Sequence, residues 1–146
     1  MTDERTYPTR PFLAVSAAIV RDGKLLVVRR ARQPGIGWHT FPGGGVELGE
    51  TLEAAVEREV REETGLEVKA GPILEVFDRI VRDDAGRVEY HYVLVDFVCR
   101  VVGGELRAGS DASGVALVDF ADLEACGVSQ KAREVIARGA AAAGRI

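Results

Sequence analysis

Apolar residues fall along this chain in short blocks cut by turn chemistry. Leu13 to Val20 and Lys24 to Val28 are β-prone runs on either side of Arg21-Asp22-Gly23. An Asp-Gly pair suits the positive φ angles of a tight turn, so the pattern predicts a β-hairpin. A loop, Gln33-Pro34-Gly35-Ile36-Gly37, leads into a short apolar strand from Trp38 to Phe41, which Pro42 stops. Gly43, Gly44 and Gly45 then predict a loop whose backbone turns sharply and comes close to a ligand. At Thr51 the period changes. Thr51 is an N-cap, Glu53 lies in the first turn, and a helical pattern runs to Gly65, which stops it. Pro72 to Val81 and Val88 to Val101 form a second, longer hairpin around Asp83-Asp84-Ala85-Gly86. Val115 to Phe120 reads as one more strand, Ala121 to Ala125 as a helical turn, and Ser129 opens a last helix to about Ala143. Neither an internal repeat nor a linker interrupts the series. The fold class expected is α/β, a mixed sheet with helices on its faces.

Composition narrows this picture. With 146 residues, 47% hydrophobic and 29% charged, residues 1–146 make one domain with a real core, and Met1 to Pro11 read as a frayed arm. The longest apolar runs, Leu13 to Val20 and Val93 to Cys99, fall far short of the roughly 20 residues that cross a bilayer, so no membrane span is expected. The start of the chain lacks the basic, apolar and cleavage regions of a signal peptide. Cys99 and Cys126 have no metal-type spacing. Together these point to a reduced cytoplasm. The net charge of -4 lacks the basic footprint of a protein that grips a nucleic-acid polymer. Any nucleotide handled here is a small molecule brought in with a cation.

The helix carries the chemistry. Glu59, Glu62 and Glu63 stand three and four residues apart and gather on one face. Like charges at that spacing repel unless a counter-charge joins them, and a hard divalent cation reverses the sign of the cost. Mg²⁺ takes oxygen ligands, keeps several waters and shares its coordination with substrate phosphates. Glutamates on a helix more often face solvent, but here Glu53, Glu57 and Arg61 take another side, with Glu57 and Arg61 as an i,i+4 pair. Leu52 and Ala55 head the Glu59 face, where a glycine-rich loop can fold back, and Glu47 and Glu50 add carboxylates nearby.

Gly44, Glu50, Arg58-Glu59-Val60, Glu62-Glu63 and Gly65-Leu66 resemble the Nudix box at every defining position, nine fixed positions over 23 residues without a gap. Trp38 to Pro42 also looks like the usual approach to the box. The resemblance implies an α/β/α sandwich in which a loop-helix-loop binds metal. Glu59 and Glu63 would be the main Mg²⁺ ligands, Glu62 would support them, and the Gly44 carbonyl would contribute. Arg58 would hold the acidic loop side chains in place, and Glu50 would sit in an outer shell or assist a metal-bound water. Mn²⁺ satisfies the same oxygen ligands. The activity implied is hydrolysis of a pyrophosphate bond in a nucleoside diphosphate derivative. Tyr90 to Phe97 and Gly109-Ser110-Asp111-Ala112 look like the ADP-ribose pyrophosphatase-like branch, with nucleoside triphosphates as the second substrate class. A nucleotide-sensing domain without turnover is the reading from another class, although such domains usually have a degraded box.

Other residues are less decided. Arg29 and Arg30 end a strand; either they are its solvated end or their paired donors meet phosphate, as an arginine at the place of Arg30 does in related enzymes. Trp38 either stacks on a base or fills the core. His91, between two tyrosines, reads as a structural or surface group. Asp111 stands in a loop expected over the site, but relatives often carry a Glu three residues on, where this chain has Gly114. That departure leaves Glu62, Glu63 or Asp111 as the general base. Homodimers are common among related enzymes, but no interface stripe stands out in the sequence.

Overall fold

The computed structural model describes residues 4–21, 24–30, 39–107 and 112–119, together with 122, 130, 134, 137 and 138. In chain order the elements are β1 (Phe12–Ala18), β2 (Val20–Arg21), β3 (Lys24–Arg30), β4 (His39–Thr40), β5 (Gly43–Gly45), α1 (Leu52–Thr64), β6 (Leu66–Arg82), β7 (Val88–Gly104) and β8 (Ala112–Val118). Two four-stranded sheets result. The first runs β5-β1-β7-β6 and is mixed, because β1 and β7 are parallel while the outer pairs are antiparallel. The second is built on β3, which pairs with β2, β4 and β8. This is the α/β arrangement with a mixed sheet that the pattern calls for.

Three elements depart from expectation. The first hairpin is short, pairing only Val20 with Leu25 and Arg21 with Lys24, and the Ile19 carbonyl accepts the Leu26 N–H at 2.9 Å. β1 itself leaves that pairing for the other sheet, where seven of its residues lie parallel to β7. Local turn chemistry specified the corner, and burial on both faces claimed the longer strand. The glycine run is a strand rather than a loop, with Gly43, Gly44 and Gly45 opposite Ser16, Val15 and Ala14. β6 begins at Leu66, directly after the helix, so the long hairpin is longer than its alternating part. Its turn is as expected: Gly86 sits at φ +82°, and Asp83 caps the turn by accepting the Ala85 and Arg87 N–H groups at 3.0 and 2.9 Å.

α1 lies on the mixed sheet. Its Ala55, Val56 and Val60 join Val15, Ala17, Ile19, Val95 and Phe97 in one buried cluster. Removing each such larger aliphatic side chain from water contributes about 1.5–3 kcal/mol. Leu25, Val27 and Val118 form a second cluster on the other sheet. Arg138 Nη2 donates to Glu75 of β6 at 3.0 Å. Of the expected last helix, residues 130, 134, 137 and 138 are described and are helical. The rest of it, and most of the turn expected at Ala121 to Ala125, lie outside the described residues. Residues 4–11, expected to fray, lie along the hairpin tip. Tyr7 N–H donates to the Glu89 carbonyl at 2.8 Å, its hydroxyl donates to Asp83 at 2.8 Å, and Arg87 covers its ring. No helix among the described residues is long and apolar enough to cross a membrane.

Candidate active site

The site is assembled where β5 hands over to α1. Thr51 caps the helix, its hydroxyl accepting the Ala54 N–H at 3.1 Å, and Gly65 ends it at φ +77°. Those two signals fix the helix ends, and with them the face on which each glutamate emerges. At Gly43 and Gly44, though not at Gly45, β5 then passes so close to its neighbours that a side chain has no room. A Cβ on Gly43 would stand 2.1 Å from the Val15 carbonyl, and one on Gly44 would stand 2.6 Å from both oxygens of the Glu59 carboxylate. The first glycine lets two strands approach, and the second lets an acidic side chain lie against the backbone. The sequence pattern predicted a loop that comes close to a ligand, whereas the glycines form a strand that comes close to β1 and Glu59.

Arg58 ties the segment together. Its Nε and Nη2 donate to the two oxygens of Glu50 at 2.7 and 2.9 Å. Nη1 donates to Glu59 at 2.8 Å and to Glu62 at 3.2 Å, and Nη2 also reaches the Gly45 carbonyl at 3.0 Å. Glu47 stands 3.9 Å from the same guanidinium. One planar, multi-donor head group thus spans β5, the loop and the helix. The hydrogen bonds of Arg58 are the main reason the Glu50 carboxyl is held down to about 2, and the Glu47 N–H, donating at 3.0 Å, adds to the effect. In return Glu50, and then Glu59, push the guanidinium further into its charged form.

The helical carboxylates are not equivalent. Glu59 and Glu63 are buried, at 8% and 7% exposure, whereas the Glu62 side chain is half exposed. Taking two carboxylates out of water costs several kcal/mol each unless partners replace the water. Arg58 serves Glu59, and the Gly43 N–H donates to Glu63 Oε2 at 3.1 Å. Glu57, expected to pair with Arg61, has its Oε2 accepting the Ala70 N–H at 2.9 Å. Among the described residues no three carboxylate, imidazole or thiol groups close into a full metal cage. The buried oxygen donors Glu59 and Glu63 beside Gly43 and Gly44 could hold a divalent metal ion.

Other expected residues fall at the margin of this centre or beyond it. Arg29 is exposed and pairs in register with His39 on one side and Gly114 on the other. Arg30 lies in β3, after an irregularity in its pairing with β8. Trp38 and Asp111 lie outside the described residues. Gly114, the position where relatives often have Glu, is within β8, and a Cβ there would meet nothing within 4 Å. Its small size is not imposed by packing. His91 is half-buried in β7, opposite Ile80. Cys99 is buried, and burial pushes its thiol up to about 12, which leaves it inert. Two contributors were not singled out from sequence: the Gly43 N–H and the Gly45 carbonyl. The triple glycine was the signal for both.

Fold and site together define a class. The NUDIX domain model matches residues 10–139, and the chain belongs to that family. It is 42% identical over 113 residues to an ADP-ribose pyrophosphatase of Methanocaldococcus jannaschii, a match that covers 77% of this chain and 64% of that protein. It is 41% identical over 112 residues to a putative 8-oxo-dGTP diphosphatase 2 of Mycobacterium tuberculosis, covering 76% of this chain and 75% of that one. The crystal structure of a MutT NUDIX hydrolase from Burkholderia pseudomallei superposes with a TM-score of 0.75 at 29% identity, covering 88% of this chain and 98% of its own.

Proposed function

We propose that this protein is a Mg²⁺-dependent hydrolase of the pyrophosphate bond in a nucleoside diphosphate linked to a further group, with ADP-ribose or a similar nucleotide sugar as substrate. The carrying observation is the pair of buried carboxylates, Glu59 against Gly44 and Glu63 on the Gly43 N–H. Glu59 and Glu63 would hold the cation, with Glu62 and the Gly44 carbonyl in support, and Mn²⁺ could replace it. When bound, the cation supplies charge neutralisation on the phosphate oxygens and activation of water.

The chain's own residues divide the remaining work. Arg58 keeps Glu59 and Glu62 in place and holds the loop through Glu50. Glu50 is poorly suited to accept a proton, because Arg58 occupies both of its oxygens. Glu62 is the helical carboxylate open to solvent, and we assign it the proton of the attacking water, with Glu63 and Asp111 as the other candidates. Arg29 and Arg30 would meet substrate phosphate, and Trp38 would meet the base. The small, acidic character of the chain fits a nucleotide substrate in the cytoplasm rather than a polymer.

ADP-ribose is favoured by the similarity to the archaeal protein, of which this chain spans just under two thirds. A nucleoside triphosphate is the second reading, favoured by the similarity to the mycobacterial protein, which the chain spans more fully. The test is phosphate release, coupled to a phosphatase, from ADP-ribose, nucleotide sugars, NADH, dinucleoside polyphosphates and nucleoside triphosphates, with and without Mg²⁺. One strong metal-dependent signal is expected. Nucleotide binding without turnover across the panel would replace this reading with a sensing domain.

A further inference from the structure

The face of the mixed sheet turned away from α1 carries a polar row. Val15, Ala17, Val95 and Phe97 pack in the cluster under the helix, so alternation along β1 and β7 turns Ser16 and Asp96 to the other side. Ser16 on β1 and Glu75 on β6 are the register partners of Asp96, and partners share a face. Ser16 and Asp96 are buried, at 7% and 2% exposure. The Ser16 hydroxyl donates to Asp96 Oδ1, and Arg138 donates to Glu75 Oε1. Glu75 Oε2 is buried and has no hydrogen-bond partner among the described residues. An acceptor taken out of water without a donor is costly. We propose that its donor is Asp96: the two carboxyls share one proton, carried on Asp96 Oδ2, in a tie across β7 and β6 that weakens as pH rises.

The surroundings decide which carboxyl holds the proton. Glu75 keeps its charge, because Arg138 neutralises it. Asp96 lies deeper and receives a hydroxyl rather than a cation, and a charge taken out of water without a counter-charge is expensive. By the same alternation its neighbours on this face are apolar: Ala14 and Ala18 on β1, Leu94 and Val98 on β7, and Phe77 on β6. Gly43 of β5, beside Ser16, brings no side chain. Among the described residues the charged groups that face Asp96 are therefore Glu75 and Arg138. Burial comes first in raising the Asp96 carboxyl above its ordinary 3.8; the Ser16 hydrogen bond opposes it, the Glu75 charge adds to it, and Arg138 pulls it back. With Asp96 neutral, each carboxyl oxygen of the row has a partner, and one negative charge meets one positive. With both ionised, like charges stand side by side for a single guanidinium. A carboxyl raised on folding adds stability that is complete below its unfolded value and is lost as pH rises through the folded one.

Nuclear magnetic resonance on the full chain, isotope-labelled at aspartate Cγ, tests this directly. One signal is expected to titrate above the ordinary 3.8 and to vanish in Asp96→Asn. Glu75→Gln removes the neighbouring charge and offers an amide donor, so the signal should move down. Arg138→Ala removes the opposing cation, so it should move up. Stability gives a second readout. Asparagine mimics the protonated aspartate, accepting from Ser16 and donating to Glu75, so the urea midpoint of Asp96→Asn should gain on the wild type as pH rises past 3.8. No residue of the row is among those assigned to the cation, so this proposal and the proposed function fail separately. A wild type in which every aspartate carbon titrates at or below the ordinary value would overturn the shared proton. So would a raised signal that Glu75→Gln leaves in place, or a midpoint difference between Asp96→Asn and wild type that is the same at every pH.

Discussion

The two edges of the mixed sheet are built from opposite materials. At β5 there are no side chains at all: Gly43 and Gly44 leave no room for a Cβ, the second lying against the buried Glu59 carboxylate, and the Gly45 carbonyl accepts from Arg58. At β6 the side chains are long, apolar and exposed, and the strand is 17 residues rather than three. At β5, shape is dictated by what must fit beside the backbone, so small changes should be costly. At β6, shape is dictated by the hairpin alone, so the same changes should be tolerated.

Substitutions sharpen that contrast. The largest stability loss is expected from Arg58→Ala, which leaves Glu59 buried and strips Glu50 of its partner. Removing one member of a buried ion pair costs about 3–5 kcal/mol, read as a fall in the urea midpoint. A loss under about 1 kcal/mol, within the range of a surface ion pair, would mean that Arg58 is not the tie described. Next comes Gly44→Ala. The added methyl lands on the Glu59 carboxylate, so overpacking should cost about 1–3 kcal/mol and turnover should fall with it. Gly86→Ala on the hairpin is the control. Nothing lies within 4 Å of its Cβ, so only the left-handed φ is strained, at about 1 kcal/mol, and activity should be unchanged. Equal effects of the two alanines on turnover would erase the distinction between the edges.

The smallest effect is one of pH. Glu50 is held at about 2 against an ordinary 4.5, chiefly by Arg58. A carboxyl lowered on folding adds stability that is complete above its unfolded value and is lost as pH falls through the folded one. The urea midpoint advantage of wild type over Glu50→Gln should therefore be flat near neutrality and shrink between about 4.5 and about 2. An advantage that does not change over that window would remove Arg58 as the cause.

The sequence was most legible where local chemistry decides local structure. Thr51 and Gly65 mark the helix ends, Asp83 to Gly86 mark the hairpin turn, and the spacing of Glu59, Glu62 and Glu63 sets one acidic face. It was least legible where a distant neighbour overrides the local preference. Glycine is a poor strand former, and only the pairing of Gly43 to Gly45 with β1 makes them a strand. β1 looked like one arm of a hairpin because the strand it joins, β7, lies some 80 positions away. The resemblance to the Nudix box implied that Arg58 holds the acidic loop. That it also binds a backbone carbonyl of β5 follows from the close approach of the strand, which spacing alone does not give.

The central claim is that Glu59 and Glu63, set against Gly43 and Gly44, form the cation site. The most direct measurement is a Mn²⁺ titration followed by electron paramagnetic resonance on the wild type, Glu59→Gln and Glu63→Gln, with far-UV spectra confirming that all three are folded. The account predicts binding by the wild type, displaced by excess Mg²⁺, and at least about tenfold weaker binding in each variant, since each loses ligand charge but not volume. Unchanged Mn²⁺ binding in both folded variants would contradict it and place the cation elsewhere.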